Sequence, residues 1–119
     1  MILSKGELSM STYYLQYDLD RIKTQRQGNY YVPSEFSKNI RLELKWAYTA
    51  ILHSLIDIPK FNDNQEAYLD YDLKPLCQTL SLLANKPVDV AKIEGYIREL
   101  EENDLLELRP EGIYLKRII

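Results

Sequence analysis

The sequence predicts an α+β fold in which three helices share one apolar interior with a C-terminal β-hairpin, and three observations lead there. Apolar residues recur at three- and four-residue spacing in three separate stretches, 42–56, 73–83 and 88–100, as expected of helices that bury one face. After Asn103 the spacing changes to alternation, Leu106 and Leu108, then Ile113 and Leu115, on either side of "RPEG", the pattern of two strands joined by a tight turn. A chain of 119 residues is long enough for one such core and too short for two.

Residues 1–12 are read as a leader without a role. "STYYLQYDLDRIK" and "GNYYVP" are tyrosine-rich and interrupted by polar residues, which predicts two short extended segments around the loop "TQRQG". Pro33 ends the second, and "SEFSKN" reads as a helical turn capped by Ser34 or Ser37. The first core helix carries Leu44, Ala47, Tyr48, Ile51 and Leu55 on one stripe and Leu42, Trp46 and Ala50 on a second, so deep burial is expected. "DIPKFNDNQEAY" is read as a loop leading to an edge strand at Tyr68 and Leu69. The second helix follows Leu73, Leu76, Cys77, Leu80 and Leu83, with Pro75 tolerated in its first turn, and stops at "ANKP". For the third, Asp89 is the expected N-cap and Val88 is placed to staple onto Ile93. Its inward stripe is Val90, Ile93, Ile97 and Leu100, with Asn103 expected in the left-handed position after the last turn. In the hairpin, Leu106, Leu108, Ile113 and Leu115 face inward and Glu107, Arg109, Tyr114 and Lys116 outward, about a type I turn.

Composition narrows the function classes. Hydrophobic residues make up 45% and charged residues 28% of the chain, which suits a soluble globular protein. No apolar run approaches the roughly 20 residues that span a bilayer, and "MILSKGELSM" lacks the apolar block of a secretory signal, so a cytoplasmic protein with no membrane contact is expected. One cysteine, Cys77, and one histidine, His53, make neither a disulfide framework nor a zinc cluster, and both are expected to pack in or beside the core. There is no Gly-rich phosphate loop, no nucleophile set with a histidine in a recognisable motif, and no carboxylate pair spaced for metal. "NDNQE" and "DYD" cluster acids, yet both fall in or beside a loop where surface carboxylates are ordinary. The expectation is a protein that is not an enzyme and holds no metal or cofactor.

The pieces "YYVPSEF", "WAYTAIL", "DNQEAYLDYDLKPLCQTL", "YIRELEENDLLEL" and "GIYL", in that order, resemble the winged helix-turn-helix domain at the amino end of Gram-positive plasmid replication initiators and phage replisome-organiser proteins. The likeness covers Tyr31 to Tyr114, about two-thirds of the chain. It implies a three-helix core with a C-terminal β-hairpin wing spanning residues 31–119, preceded by a partly extended, tyrosine-rich extension over residues 1–30. It also implies a DNA-binding protein of a phage, plasmid or other mobile element, working in DNA replication. The chain departs from those initiators in its short wing, its tyrosine-rich leader and the lack of a second domain after the wing.

Charge refines where binding is expected. Residues 1–60 hold eight Lys/Arg and six Asp/Glu, and residues 61–119 seven and twelve, so the halves carry +2 and −5, which points to a local binding face rather than a global one. On the third helix, the face opposite the apolar stripe holds Val88, Ala91, Lys92, Gly95, Glu99 and Glu102. Only the first residues of such a helix enter a major groove, so Glu99, Glu101, Glu102 and Asp104 can form a solvated face. Duplex contacts are expected from Lys86, Lys92 and Arg98, with Gly95 and Tyr96 on the same helix, and from Arg109, Lys116 and Arg117 of the wing. Ala91 and Gly95 leave a shallow strip on which a nucleic-acid strand or a partner helix would approach closely.

Single-stranded DNA fits another cluster, Tyr13, Tyr14, Tyr17, Tyr30 and Tyr31 around Arg21, Lys23 and Arg26, because aromatic faces stack on bases with less need of positive charge. The same tyrosines also suit half-buried residues covering the first helix. Two functions follow: a small DNA-binding protein using the third helix, the wing and the leader, or an accessory subunit that docks its acidic third helix onto a replication protein or other partner. Homodimerisation through the tyrosine-rich segment is compatible with either.

Overall fold

The structure, a computed structural model, describes residues 12–25 and 40–117. They form α1 (Gln16–Gln25), α2 (Leu42–Asp57), β1 (Lys60–Phe61), β2 (Ala67–Tyr68), α3 (Lys74–Ala84), α4 (Val90–Glu102), β3 (Leu106–Arg109) and β4 (Gly112–Leu115). The described chain is therefore α+β, with two small antiparallel hairpins, β1–β2 and β3–β4. Helix α2 is its axis. Every residue from Ala47 to Ile56 is buried, His53 among them, because α1, α3, α4 and β4 all pack on it. Both apolar stripes of α2 are thus needed, and only Leu42, in the first turn, stays out at 53% exposure.

Helices α3 and α4 follow their capping residues closely. Pro75 sits in the first turn of α3, and Asn85 ends that helix in the left-handed region at φ 54°. The Asn85 N–H donates to Leu82 O and the Lys86 N–H to Ser81 O, a Schellman arrangement that satisfies two terminal carbonyls. The Asp89 carboxylate accepts from Lys92 N at 2.9 Å, capping α4, and Val88 is buried beside it.

Two details of α4 differ from the sequence expectation. Val90 is 43% exposed, and Tyr96 joins Ile93, Ile97 and Leu100 on the buried side. The packed arc is rotated because the Arg41 guanidinium lies 5.5 Å over the Tyr96 ring and closes that flank. At the C-terminus Asp104, not Asn103, takes the left-handed conformation, at φ 62°. Asn103 instead turns its Nδ2 back to Glu99 O at 2.8 Å, while Asp104 N donates to Glu101 O and Leu105 N to Leu100 O, a second Schellman closure with buried Leu105 packed at its end.

The stretch "DIPKFNDNQEAY", expected as a loop, contains the β1–β2 hairpin. Asn62 Oδ1 accepts from both Asn64 N and Glu66 N at 2.9 Å, and this Asx turn brings Lys60 opposite Tyr68 and Phe61 opposite Ala67. Next to it Leu69 bridges Ile113, so β4 lies between β3 and the β2 segment. Leu106 pairs with Leu115, Glu107 with Tyr114, Leu108 with Ile113 and Arg109 with Gly112.

Enclosure on both sides overturns the expected outward position of Tyr114, which is fully buried. The Tyr68 ring stacks on it at 5.0 Å and the Tyr13 ring meets it edge-on at 5.4 Å. Leu108, expected inward, is 38% exposed instead.

The N-terminal segment is the largest correction. Tyr13 and Leu15 make isolated antiparallel bridges to Lys116 and Glu66, but from Gln16 the chain is helical rather than extended. Leu15, Leu19 and Ile22 have helical spacing, and Leu19 and Ile22 bury their side chains in the core. Asp18 accepts from Leu15 N at 2.9 Å, the returning half of a capping box. Tyrosine's strand preference is outweighed by that packing. The "GNYYVP" and "SEFSKN" segments lie outside the described residues.

Candidate nucleic-acid interface

Helix α4 divides its exposed surface into two flanks. On the first, Arg41, Ala91, Lys92, Gly95, Tyr96, Arg98, Glu99 and Glu102 line an open groove of about 380 Å³. A Cβ built on Gly95 meets nothing within 4 Å. Lys92 and Arg98 are exposed and make no ion pair among the described residues. Arg41 enters from the residue before α2 and bonds Glu99 Oε2 at 2.6 Å and Glu43 Oε2 at 3.2 Å. Nothing in the local sequence around Arg41 signals its bond to Glu99, because α2, the β1–β2 hairpin and α3 lie between them in the chain. The groove holds three cations against two carboxylates, and its floor is small enough for a close backbone approach.

The expected wing cations stand elsewhere. Arg109 bonds Glu107 at 2.5 Å, reaches Glu66 at 3.8 Å, and lies 4.2 Å over the Tyr114 ring and 5.0 Å over the Tyr13 ring. Lys116 pairs with Asp104. The side chain of Arg117 is only 7% exposed and faces Asp18 at 3.8 Å. All three connect parts of the fold to one another. Tyr96 is buried, and Lys86 is exposed in the turn between α3 and α4.

The stacking cluster is likewise dispersed. Tyr13 and Tyr14 are buried at 6% and 5% exposure, while Tyr17 is 63% exposed. Tyr17 has the Arg21 guanidinium 6.0 Å from its ring centre. Lys23 is exposed on the same helix; Arg26, Tyr30 and Tyr31 lie outside the described residues. Tyr14 and Tyr48 are bonded oxygen to oxygen at 2.6 Å, and Tyr48 donates its hydroxyl proton to Lys116 O at 2.6 Å. With that proton committed, Tyr14 must be the donor of the pair.

These contacts shift titrations in a consistent sense. Burial, followed by the acceptor Glu111 at 2.7 Å, pushes the Tyr114 phenol up to about 12. Burial, followed by the hydrogen bond to Glu107 at 2.5 Å, holds Tyr13 above its ordinary value. The Tyr13 hydroxyl and then Arg109 hold Glu107 below the usual carboxylate range. Burial pushes the Cys77 thiol up, which makes a nucleophilic thiolate harder to form. Among the described residues no group of three or more His, Cys, Asp or Glu is set to hold a metal, and no helix is long and apolar enough to cross a membrane.

On the second flank of α4, Tyr71, Leu73, Ile97, Leu108 and Ile113 form an apolar groove of about 190 Å³ with Glu94, Arg98 and Glu101 at its edge. Arg98 lies on the ridge between the two flanks. No family model, curated protein or solved structure matches the chain.

Proposed function

We propose that this chain is a small winged-helix DNA-binding protein, with α2, α3 and α4 as its three-helix core, β3–β4 as its wing and the first flank of α4 as its reading face. The observation that carries the reading is the open groove in which Lys92 and Arg98 stand exposed on either side of Gly95. That is where a recognition helix meets a phosphate backbone. Resemblance to the plasmid and phage replication proteins supplies the context, DNA replication in a mobile element. Duplex DNA is the favoured ligand over single strands, since Tyr13 and Tyr14 are buried in the core and offer no face for a base. The engagement of Arg109, Lys116 and Arg117 within the fold keeps the phosphate contacts few.

Fluorescence anisotropy with a labelled duplex and the matching single strand tests the proposal. Binding is expected for the duplex, with a salt slope of about −2 to −3 for three neutralised phosphates. Lys92→Glu with Arg98→Glu should weaken it by roughly tenfold or more and flatten that slope. Retained affinity in the double variant defeats the assignment. A second reading, an accessory subunit that docks on a partner protein, is favoured by one observation: α4 carries Glu94, Glu99, Glu101 and Glu102 against Lys92 and Arg98.

A further inference from the structure

We propose that the groove between α4, the wing and the segment before α3 is a docking site for a basic, amphipathic peptide segment of a partner protein. This deepens the second reading above and does not depend on DNA binding at the first flank. The groove has an apolar floor, Leu73, Ile97 and Ile113, and two exposed apolar walls, Tyr71 at 49% and Leu108 at 38%. Leu108 occupies an inward position of the β3 alternation, yet no side chain of the described residues covers it fully. Tyr71 is held in place as a wall, because its hydroxyl donates to Arg109 O at 2.5 Å, with Gly112 O at 3.2 Å.

A rigid apolar trough is suited to the side chains of one face of a helix or extended peptide. Its volume, about 190 Å³, is below the roughly 300–1,000 Å³ of small-molecule pockets. Anchoring side chains of a larger ligand fit it better.

Charge selects the kind of peptide. Glu94 and Glu101 stand on the rim and make no ion pair among the described residues. Glu111 lies near enough, with Glu101, to raise the Tyr71 phenol further once burial has done so. Against these carboxylates only Arg98 among the lining residues is positive. A nucleic-acid backbone is repelled by such a rim, whereas lysines and arginines flanking apolar anchors find partners on it.

The experiment uses the full chain and two synthetic helical peptides. Each carries leucines at i, i+3, i+4 and i+7; one bears lysine on its polar face and the other glutamate. Titrations are followed by amide chemical shifts and by anisotropy. The lysine peptide is expected to shift Tyr71, Glu94, Glu101 and Leu108, and the glutamate peptide to leave them unmoved. Glu94→Lys with Glu101→Lys, both on exposed positions, should weaken the lysine peptide by on the order of tenfold while duplex binding is kept or improved. Equal binding of both peptides, shifts confined to other surfaces, or a duplex footprint in this groove overturns the proposal. Weakened duplex binding in Lys92→Glu, a residue of the first flank alone, with the peptide shifts intact separates the two sites.

Discussion

At Gly112 an added Cβ would sit 2.1 Å from Leu69 O and 2.6 Å from the Tyr68 ring, distances that no side-chain rearrangement relieves because the nearest atom is backbone. Gly112→Ala is therefore expected to cost about 3 kcal/mol in urea unfolding; a change below about 0.5 kcal/mol, within the range of ordinary surface substitutions, shows that the Leu69–Ile113 bridge gives way freely. Gly95 has the opposite situation, with open space where its Cβ would be. Gly95→Ala should raise stability by about 0.5–1 kcal/mol, the helix cost of glycine. A simultaneous loss of duplex affinity would mark that surface as the contact. Tyr114, held at about 12, and Tyr13, held above 10, have folded values higher than their unfolded ones. Their contribution to stability is complete below pH 10 and falls as pH rises from 10 toward 12. Thermal melts across that window should show Tm declining, and Tyr114→Phe should flatten the decline.

Among the elements, α2, α3, α4 and the β3–β4 hairpin were legible because each declares itself locally, through spacing, Pro75, Asp89 and the alternation about Pro110. Helix α1 was not. Its tyrosines suggested strand, and the decisive residues, Leu19 and Ile22, gain their helical value from α2, more than twenty positions later in the chain. Leu19 is 2% exposed, so Leu19→Ala should lower global stability by about 2–5 kcal/mol. The test is whether a probe on β3–β4 and far-UV dichroism lose midpoint together; an unchanged β3–β4 transition would make α1 a separate, weakly attached element. Asp89→Ala, which removes the cap bonded to Lys92 N, should cost about 1 kcal/mol.

For the whole molecule, the cations expected at a binding face divide between the exposed first flank of α4 and the interior contacts of the β3–β4 hairpin. Lys92, Gly95 and Arg98 lie together on that flank, while Arg109, Lys116 and Arg117 are engaged: Glu107 stands beside Arg109 in the same strand, and Glu66, Asp104 and Asp18 are brought to these cations by the fold. Sequence distance conceals the longer-range pairs, and it equally conceals Arg41, the residue before α2, which stands 58 positions before its partner Glu99. Tyr114 is buried and Val90 exposed, against their spacing, for the same reason: periodicity identifies a face, and the neighbours decide what covers it.

The bridge between Tyr13 and Lys116, with Arg117 N bonded to Thr12 O at 2.8 Å, brings residues from opposite ends of the described chain side by side. A permuted chain, with residue 117 fused to residue 12 by a short glycine-serine tether and new ends opened at the exposed Asp63–Asn64 turn, has the connectivity to close the same core.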